Sequence, residues 1–440
     1  MSAAIPTQRR RGSASDTWPR VRLGEVCNIN MGQSPESSTY NSSSEGLPFY
    51  QGNADFGTIH PKPRVWCSAP VKIAKAGDLL ISVRAPIGAL NFANERCCIG
   101  RGLAALSALP NVEYGFLYYA LKSKVAELNA KGTGSTFKAI NKRALSAISI
   151  VLPPLAIQRR IATKLDQLCD IVAKRKNQLS QLNQLVKSRF VEMFGDVTVN
   201  DREWETATLP ELGELNRGVS KSRPRNSPEL LGGPYPLVQT GDVSNSGLWI
   251  KNYSSTYSDK GLAQSRLWKR GTLCITIAAN IAQTAILDFD ACFPDSVVGF
   301  VPNERTDAIF IHYWFSFFQK ILEAQAPQVA QKNINLKILS GLKVVEPPLA
   351  LQREFAAFVE KVDKLAAAVK RGLEAAERLY RQQMQELFGE AATETTKTTE
   401  TTKTTKTANA GGFSLSGLST PSQGLNSPVG HCVKGGNANG

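Results

Sequence analysis

The chain has 440 residues, enough for two or three domains, and its 42% hydrophobic content can form buried cores, which excludes global disorder. Lysine and arginine outnumber aspartate and glutamate by 52 to 37, and the net charge of +15 favours an anionic partner, most often nucleic acid. No apolar leader and no apolar run long enough to cross a bilayer occurs, so we expect a cytoplasmic protein without membrane contact.

The positive charge is concentrated in the first half of the chain. Residues 17–196 carry 23 basic and 12 acidic side chains, whereas residues 197–390 carry 22 of each. Cations are needed to contact DNA phosphates, whereas bases are recognised by hydrogen-bonding groups and shape. The first half is therefore predicted to depend more on phosphate contacts, and the second half more on shape or base contacts.

The first half of the sequence is predicted to form a globular head followed by a long helix. In the head, residues 17–152, "DLLISVR" at 78–84 is typical of a buried strand and "VEYGFLYYALKSKVAEL" at 112–128 of an amphipathic helix. The sequence "PPLAIQRRI" at 153–161 then ends a strand, because proline cannot donate to a β-ladder, and suits a helix start. The helix is predicted over residues 153–196.

The same order of elements follows a second time. A second head is predicted over residues 197–346, with a buried strand in "TLCITIA" at 272–278 and an amphipathic helix at 307–324. The sequence "PPLALQREF" at 347–355 opens a second long helix, predicted over residues 347–390.

The repetition extends to individual residues. With a shift of 194, the sequence matches itself without a gap from about residue 113 to residue 196, and the shift falls to 186 near the start of each head. Matched pairs include Lys138 with Lys332, Ile140 with Ile334, and Phe194 with Phe388. A duplicated chain with pseudo-twofold symmetry is therefore predicted.

Both long helices carry apolar residues at alternating spacings of three and four, over about four heptads each. Two such helices in one chain most simply pair antiparallel, with a head at each end of a rod. The predicted fold class is therefore α+β, with two homologous globular heads separated by two long antiparallel coiled-coil helices. The apolar positions of the seam include Leu165, Leu168, Leu179, Leu182, Val359, Val362, Leu373 and Leu387.

The two ends of the chain lack the apolar residues of a folded core. Residues 1–16 and the threonine-rich residues 391–440 are predicted to be disordered. The eight cysteines show no C-x-x-C spacing and the three histidines are scattered, so no metal site is predicted.

Catalytic motifs are missing from the whole sequence. It contains neither a G-x-x-x-x-G-K-[ST] phosphate loop, nor H-E-x-x-H, nor the Asp-x-Lys or Glu-x-Lys end of a common nuclease metal site. The two Pro-Pro sequences lack the amide and the aromatic ring of the corresponding adenine methyltransferase motif. We therefore predict that this chain is not an enzyme.

The duplicated head, the sequence PPLAxQR opening a coiled-coil helix and the closing FGD or FGE together resemble the specificity subunit of a Type I restriction-modification system. The resemblance covers residues 17–390. It implies that each head is a target recognition domain reading one half of a bipartite site in double-stranded DNA. It also implies that the helices, through the apolar positions named above, dock two modification (methyltransferase) subunits, which restriction subunits can join.

Catalysis then belongs to the partners. The resemblance implies adenine N6-methylation and ATP-driven DNA cleavage by these partners, which would bind S-adenosylmethionine, ATP and Mg, whereas this chain would bind no cofactor. The partner must flip its target base out of the duplex.

Loops that differ between the two heads are the candidate DNA contacts. The loop "KGTGSTFKAIN" at 131–141 becomes "QAPQVAQKNIN" at 325–335, and amide side chains can pair with adenine whereas Arg and Lys pair with guanine. The segments 50–57 and 238–247 are further candidate loops. The predicted DNA-binding residues are Arg84, Ser135, Thr136 and Lys138 in the first head, and Asn280, Gln283, Gln328, Gln331 and Lys332 in the second.

Two other functions remain open at this point. The chain could be a freestanding DNA-binding protein, which would bind a defined site without any methyltransferase. It could also be a scaffold whose heads bind protein, in which case partners would assemble without any DNA preference.

Overall fold

The computed structural model describes residues 18–134, 138–278, 281–325 and 334–389, with side chains omitted for residues 320–325. These residues form two compact units. The first unit comprises the described residues up to Val172 together with those from Ala375 onward, and the second unit comprises Ala173–Glu374.

The described residues combine helices and strands in a repeated order, as predicted for an α+β fold. The helices are α1 (Leu23–Val26), α2 (Tyr114–Ser123), α3 (Val125–Ala130), α4 (Lys142–Ser146), α5 (Leu155–Phe194), α6 (Leu209–Leu212), α7 (Thr240–Ser244), α8 (Asp259–Ala263), α9 (Ala308–Gln325), α10 (Leu336–Ser340) and α11 (Leu349–Phe388). The strands before α5 are β1 (Arg20–Arg22), β2 (Cys27–Met31), β3 (Tyr40–Asn41), β4 (Leu47–Tyr50), β5 (Trp66–Cys67), β6 (Ile73–Ala74), β7 (Leu79–Ser82), β8 (Leu90–Phe92), β9 (Cys97–Ile99), β10 (Leu103–Ala108) and β11 (Ser149–Val151). Those after α5 are β12 (Thr206–Thr208), β13 (Gly213–Arg217), β14 (Leu231–Leu237), β15 (Trp249–Ile250), β16 (Ser255–Tyr257), β17 (Leu273–Thr276), β18 (Thr284–Leu287), β19 (Val297–Pro302) and β20 (Lys343–Val345). Three short 3-10 helices lie at Ser37–Thr39, Asn53–Asp55 and Pro228–Leu230.

The first unit is built on an antiparallel sheet with strand order β2-β10-β7-β8. Strand β7 is buried on both faces: Leu79 and Ile81 pack with the helices, whereas Leu80 packs with the strands of a second sheet, ordered β3-β5-β4-β9-β6. A strand covered on both sides favours a continuous apolar run, which explains Leu79, Leu80 and Ile81. The strand ends at the buried Ser82, whose hydroxyl donates to the carbonyl of Pro86 at 2.7 Å.

The second unit repeats this plan. Its sheet has the order β13-β19-β17-β18-β15, and Leu273 and Ile275 of β17 face one core while Cys274 faces another. These positions are 194 residues beyond their counterparts in β7. A separate pair, β14 with β16, takes the place of part of the second sheet.

The predicted helix at 112–128 is interrupted. It forms α2 and α3, which meet at Lys124, whose φ of −96° and ψ of 6° are not helical. Lys124 is buried and forms an ion pair with Glu127. The apolar pattern continues through this break, so it could not reveal it.

Each of the repeated Pro-Pro sequences contains a buried glutamine that holds the start of the long helix in place. Gln352 is 0% exposed, and its side-chain amide donates to the carbonyls of Pro347 (2.8 Å) and Arg305 (3.2 Å). Its carbonyl accepts from the Thr306 hydroxyl and the Asp307 amide, both at 3.0 Å. One side chain therefore fastens the start of α11 to the loop that precedes α9.

Gln158 has the same role in the first unit. It is 1% exposed, donates to Pro153 (2.8 Å) and Asn111 (3.0 Å), and accepts from the amide of Glu113 (2.9 Å). The loop before α2 is thereby fixed to the start of α5. The repeated "PPLAxQR" is thus a structural joint between head and helix.

In the first unit, the parts of α5 and α11 that belong to it run antiparallel. Phe116 on α2 packs against Phe388 with ring centroids 5.6 Å apart, and Tyr119, one turn later, packs against Tyr380 at 6.5 Å. Tyr119 also donates to Asp166 on α5 at 2.6 Å. α11 therefore runs opposite in direction to α2, and along α5 Lys164 donates to Gln383.

The same holds within the second unit. Arg189 of α5 pairs with Glu354 of α11 at 3.1 Å, and the Phe190 and Phe355 rings are 5.3 Å apart. Arg175, earlier on α5, approaches Gly372, later on α11. Later residues of α5 therefore contact earlier residues of α11, so these parts of the two helices run antiparallel, as predicted.

Candidate nucleic-acid interface

One edge of the main sheet in the first unit collects several of the predicted DNA-binding segments. β2 and β7 end at this edge and β10 begins there, because these strands are antiparallel. Hydrogen bonds join the segments that follow: Gly32 donates to Leu103, Val83 donates to Gly102, and Ile140 donates to Val83, each at 2.9 Å. We call residues 32–34, 83–88, 100–102, 131–134 and 138–141 the first loop edge.

The first loop edge presents three exposed cations. Arg84 forms a β-bridge with Ala139, and the amide of Ala85 donates to the carbonyl of Lys138 at 3.1 Å. The two predicted residues Arg84 and Lys138 are therefore neighbours. Arg101 is also exposed and its amide contacts the Ser34 hydroxyl at 3.4 Å. Within the described residues none of the three cations has an ion-pair partner, which leaves them available to an anion. The predicted residues Ser135 and Thr136 lie outside the described residues.

The second unit has a corresponding second loop edge, where β13 and β17 end and β19 begins. Gly218 donates to Val297 at 2.8 Å, Ile277 donates to Ser296 at 3.1 Å, and Ile334 donates to Ile277 at 3.0 Å. The second loop edge comprises residues 218–226, 277–278, 281–283, 294–296 and 334–335, together with residues 239–241. It brings the end of the 325–335 loop beside the β17–β18 turn.

Gln283 is the one predicted residue of the second head that is described. It is half-buried, and its backbone closes the β17–β18 turn through two hydrogen bonds with Thr276, at 2.9 and 3.1 Å. Its position at the second loop edge is compatible with a DNA contact. Asn280, Gln328, Gln331 and Lys332 lie outside the described residues.

Gln51 of the first unit and Gln239 of the second occupy equivalent positions. Gln51 follows β4, which pairs in parallel with β9, and Gln239 follows Leu237, which bridges in parallel to Cys292. The backbone amide of Gln51 donates to Asp55 at 2.7 Å, and that of Gln239 donates to Asp242 at 2.8 Å. Both side chains are exposed. The two loops predicted at 50–57 and 238–247 are therefore equivalent.

Three arginines converge on Asp295 at the second loop edge. Arg217 donates to its backbone carbonyl at 2.7 and 3.0 Å, and the side chains of Arg225 and Arg223 lie 2.6 and 3.7 Å from its carboxylate. Asp295 stands where the first unit has Arg101, given the shift of 194. The charge at this position is therefore inverted between the two units.

These cations were missed at the sequence level. The run "RGVSKSRPR" at 217–225 follows a strand and holds four basic residues, which is a signal that could have identified Arg217, Arg223 and Arg225. Arg101 follows a glycine at a strand start, and nothing in its local sequence singles it out.

The eight apolar helix positions predicted to dock partners are covered by the chain itself. Leu165, Leu168 and Val359 are buried in the cores of their own units, and the remainder are half-buried: Leu179, Leu182, Val362, Leu373 and Leu387. Their side chains therefore contribute to the fold, and the docking of partners through the half-buried positions stays a prediction. Exposed apolar residues on the same helices are Ile171, Leu185, Val191, Leu365 and Leu379.

The described part of the chain was also searched for metal sites and for membrane-spanning helices. It contains no group of three or more His, Cys, Asp or Glu side chains arranged to hold a metal ion. Nor does any helix in it combine the length and apolarity needed to cross a membrane.

Comparison with known proteins identifies the family. A family model described as the Type I restriction modification DNA specificity domain matches residues 15–184 and again residues 201–378. The chain belongs to this family. The two matched ranges confirm the internal repeat, because each contains one head and most of the helix that follows it.

Specificity subunits from two organisms align with most or part of the chain. The EcoBI specificity subunit of Escherichia coli is 24% identical over 397 residues, 82% of each chain. The MjaX specificity subunit of Methanocaldococcus jannaschii is 41% identical over 179 residues, which span 40% of this chain and 42% of that relative.

Solved structures of the same family share the fold. The S subunit of a Type I restriction-modification system from M. genitalium has a TM-score of 0.59 at 15% identity, covering 88% of this chain and 99% of that one. A chain from a type I R-M system solved to explain complex assembly and conformational transition has a TM-score of 0.52 at 20% identity, covering 87% and 98%. The recognition made from the repeat and the PPLAxQR sequences is thereby confirmed.

Proposed function

We propose that this chain supplies DNA sequence recognition to a Type I restriction-modification complex, with each repeat reading one half of a bipartite site. The observation that carries the proposal is the pair of loop edges. They stand on matching sheets, yet the first presents Arg84, Arg101 and Lys138, whereas the second presents amides and arginines held by Asp295. A shared framework with different side chains at the edge suits two heads that recognise different bases.

The chemistry is proposed to belong to the partner subunits. Two modification subunits would methylate adenine N6 with S-adenosylmethionine, and restriction subunits would cleave DNA using ATP and Mg, all in the cytoplasm. This chain would bind double-stranded DNA and no cofactor. Its exposed helical residues, such as Ile171 and Leu365, are the apolar side chains free to contact those partners.

The first test is a methylation map. The chain would be expressed with the modification subunit encoded beside it in a host free of adenine methylation, and N6-methyladenine would be mapped across the genome. We expect one bipartite motif, two short halves around a fixed gap. A soluble complex with an active partner but without any methylated motif would contradict DNA recognition and favour the scaffold function.

Loop exchange tests the two edges directly. Exchanging residues 131–141 with residues 325–335 should change the sequence preference of the half-sites, because these loops carry the side chains proposed to contact bases. The matched control exchanges Ala76 and Arg270, both exposed in the turn that precedes the central strand at the other end of the sheet. If the loop exchange leaves the motif as unchanged as the control does, these loops do not read DNA.

A further inference from the structure

The second loop edge encloses a cavity of about 190 Å³. It is lined by polar side chains from three separate segments: Ser220 and Arg225 after β13, Gln239 after β14, and Ser296 before β19. Leu237 and Tyr257 provide apolar lining. The cavity therefore lies at the second loop edge. There the amide of Ile277 donates to the carbonyl of Ser296, and the carbonyl of Ile277 accepts from the amide of Ile334 at the end of the 325–335 loop.

Ser220 shows that a polar partner is missing from the described residues. Its side chain is 6% exposed, and its hydroxyl finds no hydrogen-bond partner among them. A buried hydroxyl without a partner destabilises a protein, and native proteins rarely contain one. The corresponding Ser34 of the first unit accepts a hydrogen bond from the backbone amide of Arg101. In the second unit the Ser220 hydroxyl finds no such donor among the described residues, and it remains available to a ligand.

The other polar groups indicate what that ligand is. Asn226 and Gln239 both line the cavity, and both residues are exposed, so their side-chain amides can reach a ligand. The guanidinium of Arg225 is held by the Asp295 carboxylate at 2.6 Å, which orients it and offsets its charge. Amides and hydroxyls both donate and accept, as the edges of nucleobases do. A phosphate only accepts hydrogen bonds, so it could not donate to the acceptor oxygens of the two amides or of the Ser220 hydroxyl.

We propose that this cavity receives the edge of one base in the half-site read by the second repeat, with Gln239 and Asn226 as specificity-determining contacts and Ser220 as a supporting one. The inference rests on the proposed function and narrows it to named side chains. Arg101 in the first unit and Asp295 in the second carry opposite charges, so the two loop edges offer different surroundings to a base at this position.

Alanine variants of the two amides test the pocket in the complete methyltransferase complex. Gln239→Ala combined with Asn226→Ala should relax the preference at one position of one half-site by ~5- to 150-fold, the discrimination that one bidentate contact supplies. The other half-site and the gap should not change. Asn252→Ala is the matched control, because Asn252 is an exposed amide that follows β15 at the opposite end of the sheet, and it should leave every position unchanged.

Ser220→Ala provides an independent readout. If the missing partner is on DNA, the variant should lower methylation by about 2- to 12-fold, the equivalent of one hydrogen bond, while the free chain remains as stable as the parent or becomes more stable. A merely structural hydroxyl would give the reverse, namely a less stable chain with normal methylation, and that result would overturn the proposal.

The outcomes separate the pocket from the wider function. A bipartite motif that persists with unchanged base preference in the double variant would overturn the pocket and leave the proposed function intact. Weaker methylation with the same preference at all positions would also overturn it, since it would assign the cavity to backbone contacts. A parent complex without any bipartite motif would overturn both.

Discussion

Replacing the buried glutamine of the second Pro-Pro sequence should loosen the joint between head and helix. Gln352→Met keeps the length and volume of the side chain but removes all four of its hydrogen bonds. The amide of Asp307, the hydroxyl of Thr306 and the carbonyls of Arg305 and Pro347 would be left without this partner. At about 1 kcal/mol for each bond, the expected loss is about 4 kcal/mol. That is a large share of the stability of a typical domain.

Hydrogen exchange measures this loss locally. A chain of two units need not unfold in one transition, so a single unfolding free energy could mislead. The protection of the backbone amides at the start of α9 and α11 should fall by about 1,000-fold, since ~1.4 kcal/mol corresponds to a factor of ten. Gln181→Met is the control, because Gln181 is exposed on α5 in the same unit and should change nothing.

The first unit supplies a second measurement of the same effect. Gln158→Met removes three hydrogen bonds, so its expected cost is about 3 kcal/mol, or roughly 100-fold in exchange at the start of α2 and α5. If either variant alters exchange by less than about tenfold, or no more than Gln181→Met does, the joint is not where the stability of these segments comes from.

Three further predictions concern pH, salt and the helices. Burial lowers the pKa of His312 to about 4 from its ordinary 6.5, so the unfolded chain binds the extra proton and stability is lost as pH falls from 6.5 towards 4. Denaturation should show about 2 kcal/mol less stability from this residue at pH 5 than at pH 7, and His312→Gln should not show that loss. Replacing Arg84, Arg101 and Lys138 by alanine should reduce the slope of log affinity against log salt by about 3 if each contacts a phosphate; an unchanged slope would mean that they do not. Inserting one heptad into the long helices should lengthen the gap of the methylated motif by about 3 base pairs without altering either half, and a changed half-site with the same gap would contradict a spacing role.

The elements of the fold were predictable where local and tertiary requirements coincide. Strands β7 and β17 are covered on both faces, so each begins with three consecutive apolar residues, Leu79–Ile81 and Leu273–Ile275. The long helices begin two residues after the predicted starts and end at Phe194 and Phe388, just before the repeated glycines. Gly195 explains this end: its φ of 77° is left-handed, and its amide caps the helix by donating to Val191 at 2.8 Å.

Side-chain roles were less predictable because they depend on neighbours distant in sequence. The apolar seam was identified, but the pattern could not show that its members Leu165 and Val359 lie in the cores of their units. Arg101 and Asp295 look like ordinary exposed charges until the sheet places them beside the loops after β2 and β13. Both repeats have a glutamine at this position, Gln158 and Gln352, but only the hydrogen bonds of the buried amide explain why glutamine is needed there.

The two copies show which parts of this architecture can vary independently. Gln158 and Gln352 are identical because each satisfies backbone groups of its own head, and a change there costs stability whatever DNA is bound. Arg101 and Asp295 differ because their side chains lie at an exposed edge, where a substitution leaves the sheet and its cores untouched. Changes at distant, unconnected sites add nearly independently in free energy. Sequence preference can therefore change at the loop edges while the joint and the helices stay fixed, so new specificities need no new fold.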